Sequence, residues 1–121
     1  MKTITRDDIN VSMAADFDGA AIHLESLRGF SIQCVWTQTS GTLEGTLSIQ
    51  GSNNAFADNT SNEENPNAVW DDLPGFLATV DGDGSFFWNI GDVYFKAARL
   101  KWTRTSGDGT VTSRIYGKGW T

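Results

Sequence analysis

The chain has 121 residues, which suits one domain with a real core and falls short of two. With 39% hydrophobic residues, five tryptophans, thirteen glycines and two prolines, its apolar content sits in a few large side chains, and the mix favours strands and turns over a helical bundle. Nine basic against fifteen acidic residues give a net charge of −6, which argues against nucleic-acid binding driven by phosphate neutralisation.

Taken in chain order, the elements are mostly strands. The opening MKTITRDDIN carries no apolar core of a secretory signal, and residues 1–8 read as an N-terminal arm. Ile9-Asn10-Val11-Ser12-Met13 alternates apolar and polar residues as a half-buried strand does. Residues 17–27 hold partial helical spacing at Ala20, Leu24 and Leu27, with a strand at 20–25 as the equal alternative. Phe30, Ile32, Cys34 and Trp36 alternate strongly, Thr39-Ser40-Gly41 reads as a turn, and Leu47 and Ile49 restart the pattern, which predicts a hairpin of 30–38 with 44–51.

Residues 51–68, GSNNAFADNTSNEENPNA, form a long acidic loop with Phe56 as its one apolar anchor. Val69 to Leu73 recovers apolar character and Pro74-Gly75 ends it. Asp81-Gly82-Asp83-Gly84 is a turn leading into the aromatic strand 85–90. A strand over 93–105 places Ala98, Leu100 and Trp102 on one face, with Phe95 and Ala97 out of phase, which predicts a bulge or register change near 97–98. Ser106-Gly107-Asp108-Gly109 then reads as a hairpin turn, with Val111, Ser113, Ile115 and Gly117 inside the return strand and Thr112, Arg114 and Tyr116 outside. The whole is an all-β antiparallel sandwich in one domain, residues 1–121, with a core of Phe30, Ile32, Cys34, Trp36, Leu47, Ile49, Leu100 and Trp102.

Catalytic chemistry finds little purchase. His23 is the sole histidine, and no G-x-S-x-G elbow accompanies it. Cys34, the sole cysteine, excludes an internal disulfide and lies in the apolar register of its strand, so it reads as a buried thiol. Asp81 and Asp83 echo the opening of a calcium loop, but Phe86 and Phe87 stand where further ligands belong, and a tight turn is the favoured reading. The expectation is a non-enzyme with no cofactor. It has no membrane insertion either, because no apolar run approaches the ~20 residues a spanning helix needs.

Two functions from different classes remain. Trp70 and Trp88 sit beside loops, where exposed rings could stack on sugars and make a carbohydrate-binding module with a glycan ligand. Aromatic rings also serve interfaces, and Trp120, with little intrachain surface to pack against, favours a protein contact. Lys96, Arg99, Lys101, Arg104 and Arg114 are five of the nine basic residues and gather in the predicted terminal hairpin, giving a basic end for head-to-tail contact or docking on an acidic shell.

Three stretches occur in an order with a likeness elsewhere: LSIQGSN at 47–53, VWDDL at 69–73 and ARLKWTRTSGDGT at 98–110. That order resembles small bacteriophage virion proteins, in which a strand runs into "GSN", a "W-x-D-L" segment follows and an "R-L/V-x-W/Y-T-x-T-S-G-x-G-T" hairpin closes the sheet. It is also similar to discoidin-like sandwiches, where the strand-"GS(N/D)" and "W-x-x-L" elements recur, so the fold it implies is a jelly-roll or discoidin-like sandwich. In the family pattern a short turn follows "GSN", whereas here residues 54–68 form a longer acidic loop. The resemblance implies a structural role in a virion as a capsid-associated, decoration, spike or tail component. It further implies other virion proteins or copies of the same chain as partners, and synthesis in the host cytoplasm before assembly.

Overall fold

In the computed structural model, residues 3–24, 27–56, 64–91, 93 and 95–119 are described. They form seven strands: β1 Thr3–Ser12, β2 Phe17–Asp18, β3 Ile22–His23, β4 Leu27–Ser52, β5 Asp71–Asp81, β6 Gly84–Ile90 and β7 Ala97–Gly119. Every pairing is antiparallel, and no helix occurs among the described residues.

The two long strands set the architecture. β4 and β7 run against each other over nearly their whole length, from Leu27 opposite Gly119 to Ser52 opposite Ala97. Midway, their ladder shifts register between Gln38 and Gly45, opposite residues 104–109, and both strands bend together. Residues 27–38 and 109–119 then lie in one layer with β1 and β6 on either side. Residues 44–52 and 97–106 lie in the other, flanked by β2 and β3 on one side and β5 on the other. One four-strand ribbon has folded across its middle into a sandwich, with corners made by strands that bend from one layer into the next.

This corrects both predicted hairpins. Residues 30–38 do not pair with 44–51, nor 93–105 with 111–117; each strand's partner is the other long strand. The turn residues are real, but they make corners. Gly41 and Gly107 adopt φ of 62° and 73°, and a Cβ on Gly107 would come within 2.3 Å of the Thr42 carbonyl oxygen. Asp81 to Gly84 carries the chain from β5 in one layer to β6 in the other at the same end, and residues 13–16 do so between β1 and β2.

Other expectations shift in smaller ways. From Thr3 onward the predicted arm is strand β1, paired with β7. The partial helical spacing in 17–27 gives two short strands instead. Pro74-Gly75 does not end its segment: β5 runs on to Asp81 past a register irregularity, with Gly75 at φ 84°, as proline permits on an edge strand. No bulge occurs at 97–98, because β7 begins at Ala97 and stays in register there.

All eight predicted core residues are buried, in one cluster with Leu24, Leu27, Leu43, Val80, Trp88, Val111 and Ile115. At about 25 cal/mol per Å² of apolar surface buried, such a cluster is the main favourable term in folding. The open side, between the β1 edge and the β2–β3 edge, leaves a cleft of about 270 Å³ walled by Ile22, Ile32, Leu100 and Ile115. Arg6 bridges it, donating from Nη1 and Nη2 to the carbonyls of Ala21 and Ala20 at 3.4 and 3.3 Å and pairing with Asp8 at 2.8 Å.

Candidate functional site

The outer face of the layer containing β6 exposes three large side chains with apolar bodies. Strand alternation puts Ser31, Gln33 and Val35 of β4 outward, opposite Asn89, Phe87 and Ser85 of β6 and Tyr116, Arg114 and Thr112 of β7. Val35 is 49% exposed, Phe87 58% and Tyr116 44%, and Phe86 on the opposite face of β6 is 41% exposed at the sheet edge. The run Phe86-Phe87-Trp88 is the signal that could have located this face, since period 2 forces one of three consecutive rings outward.

At one end of β6 the face opens into a groove of about 460 Å³, lined by Arg28, Ser31, Asn89, Tyr116 and Lys118. The Lys118 ammonium lies 5.9 Å from the Tyr116 ring centroid. Asp81 and Asp83, the carboxylates of the calcium-loop echo, lie exposed at the opposite, corner end. Asp83 Oδ1 accepts the Gln38 backbone N–H at 2.7 Å, and Leu43 N–H donates to Gln38 Oε1 at 2.8 Å, so this carboxylate helps to pin the corner. No group of three or more metal-ligating side chains forms among the described residues.

The tryptophan platform is not formed. Trp88 is only 4% exposed and packs against Phe86 with centroids 4.6 Å apart. Trp70 is half-buried, and the Arg99 guanidinium covers one ring face at 4.4 Å from the centroid. Arg99 is held in turn by Gln50 Oε1, which accepts from its Nε at 2.8 Å, and by Asp18 at 3.7 Å, while Gln50 donates to Asp72 at 3.0 Å. The indole nitrogens of Trp36 and Trp88 are buried and find no hydrogen-bond partner among the described residues.

The basic residues are likewise dispersed by the corner. Lys96, Arg99, Lys101 and Arg104 stay in the β5-side layer, while Arg114 lies in the β6-side layer, 3.9 Å from Asp7. Arg104 pairs with Asp108 at 3.8 Å and donates to the Gly107 carbonyl at 2.7 Å. Lys101 stands opposite Asp18 and Ser48. Carboxylates thus lie within 4 Å of Arg99, Arg104 and Arg114. Trp120 lies outside the described residues.

His23 is half-buried and stacks on Phe56 at 4.6 Å, so the expected anchor of the long loop rests on the lone histidine. Glu64 Oε1 accepts the Ala21 N–H at 3.3 Å, and Asn54 Oδ1 accepts the Val69 N–H at 3.0 Å, fixing the described parts of that loop. Residues 57–63 of the loop fall outside the described residues. Cys34 is fully buried, and burial pushes its thiol up to about 12, which suppresses the nucleophilic thiolate.

No known family model matches the chain, and no curated protein does. Among solved structures it is similar to the SPBc2 prophage-derived protein YomS, with a TM-score of 0.52 and 8% identity over 96% of each chain. A weaker likeness, TM-score 0.45 and 11% identity over 99% of this chain and 88% of the other, is to the Yersinia pseudotuberculosis-derived mitogen. At 8% identity the first likeness is one of fold alone: an all-β chain of this architecture occurs in a prophage-derived protein.

Proposed function

We propose that this protein is a non-enzymatic structural component of a bacteriophage virion, working through protein–protein assembly as a capsid-associated, decoration, spike or tail subunit. The observation that carries the reading is the outer face of the β6-side layer. Val35 and Phe87 on adjacent strands, with Tyr116 on the far side of β4, leave half or so of three large side chains in water. Exposed apolar groups on one sheet face, interspersed with Gln33 and Arg114 and with Lys118 at one end, have the mixed apolar and polar makeup of a non-obligate interface. The fold shared with a prophage-derived protein supports a phage origin. Buried Cys34 and the stacked His23 leave the two residues best suited to nucleophilic or acid–base work occupied by packing.

The sugar-binding alternative needs an open ring at Trp70 or Trp88; Trp88 is buried and Trp70 carries Arg99 on one face, so that reading loses its platform. The test is mass spectrometry on phage particles purified from a lysate of the host that encodes the chain. The chain is expected at fixed stoichiometry in the particle band, and its restriction to the soluble fraction would overturn the proposal.

A further inference from the structure

Folding one ribbon into two layers leaves four edges, and three of them discourage a further strand. β1 carries Arg6, Asp7 and Asp8, and its ladder breaks at Asn10, a non-glycine residue at φ 52°. β2 and β3 are two residues each. β5 holds Asp71, Asp72 and Asp81 and is interrupted at Pro74-Gly75. The fourth edge, β6, has none of these devices. Its sequence GSFFWNI contains no charge and no proline, and all seven residues pair with β4 without a register shift. Among the described residues no strand pairs with its other side.

We propose that β6 is the edge at which a second copy of this chain adds, antiparallel, so that two β6-side layers become one continuous sheet about a two-fold axis. Strand addition supplies the backbone hydrogen bonds that an open edge lacks, and a two-fold makes the contact self-complementary. Charge selects a second copy as the occupant. The corner end of β6 is flanked by Asp81 and Asp83, and the opposite end by Arg28 and Lys118, which line the groove with Asn89 and Ile90. Antiparallel self-pairing brings the acidic end of each copy to the basic end of the other, twice, while the uncharged middle meets itself. It also carries the two Phe87 rings toward the axis and extends the apolar outer face across both subunits. This assigns a geometry to the assembly reading and draws its purpose from it, but its test needs only the chain itself.

Size-exclusion chromatography with light scattering, run on the full chain up to about 1 mM, reads the outcome. The expected mass is twice 13.2 kDa, falling toward 13.2 kDa on dilution. Phe87→Lys sets like charges near the axis without touching the core, and is expected to weaken the dimer about tenfold or more with an unchanged near-ultraviolet circular dichroism spectrum. Ile9→Lys on β1 is expected to leave the dimer intact. Asp81→Lys should weaken it, and adding Lys118→Glu should restore it. A chain monomeric at every concentration, or a dimer indifferent to Phe87→Lys, overturns self-pairing. A monomer that still enters purified particles overturns the self-pairing and leaves the particle role standing; a dimer absent from particles does the reverse.

Discussion

The Trp102 indole N–H donates to the Met13 carbonyl at 3.0 Å, and both residues are fully buried. Met13 begins the corner after β1, and its own N–H donates to the carbonyl of Gly109, further along the same strand β7, at 2.8 Å. One indole therefore fastens the first corner of the chain to β7, far away in sequence. Trp102→Phe keeps much of the ring but leaves the Met13 carbonyl buried and unpaired. A loss of about 1–3 kcal/mol is expected from urea unfolding. Trp102→Ala, which also opens a cavity, should cost about 3–5 kcal/mol.

Gly107 and Gly82 separate conformational strain from steric clash. Both have positive φ, 73° and 74°, but a Cβ at Gly82 meets nothing within 4 Å, whereas one at Gly107 strikes Thr42 backbone atoms. Gly82→Ala should lose about 1–2 kcal/mol, the cost of a left-handed backbone alone. Gly107→Ala should lose clearly more, because the two bent strands must separate at the corner. Thermal melts of the pair measure the difference, and equal losses would show that the corner yields freely.

Arg6 closes the open side of the sandwich. Arg6→Ala removes two carbonyl contacts and the pair with half-exposed Asp8. Exposure screens the pair, so the expected loss of global stability is modest, about 1 kcal/mol. The local effect should be larger. Amide exchange is expected to quicken in β1 and at residues 20–23 before it changes in β4, since edges open at lower free energy than the core.

Cys34 predicts both reactivity and a pH trend. Its thiol sits at about 12 in the folded protein against an ordinary value of 9.0, with burial as the cause. The folded state therefore holds its proton where the unfolded chain releases it, and stability declines as pH rises from about 9 toward 12. Cys34→Ala should flatten that decline, seen as a smaller drop in denaturation midpoint over the same range. An aromatic disulfide reagent at neutral pH should modify the native thiol slowly and the urea-unfolded thiol at once.

Period-2 alternation determined the core directly. Phe30, Ile32, Cys34, Trp36, Leu47, Ile49, Leu100 and Trp102 are all buried, because a strand with one covered face must place its apolar residues two apart. Glycine-containing segments likewise marked the turns at Gly41, Asp81-Gly84 and Gly107, though not the corner at residues 13–16, which has no glycine. Whether Gly41 and Gly107 end a strand or bend it was settled only by tertiary pairing: a hairpin turn and a sandwich corner require the same positive-φ backbone, and the difference lies in which strand stands opposite, a contact between residues some 70 positions apart. That choice also redistributed the functional candidates. It moved Arg114 into the layer opposite Arg99, buried Trp88, turned Trp70 against Arg99 and left β6 as the unguarded edge. Local sequence specifies which face of a strand is apolar; only the order of strands across the folded sheet decides which edge remains open to a partner.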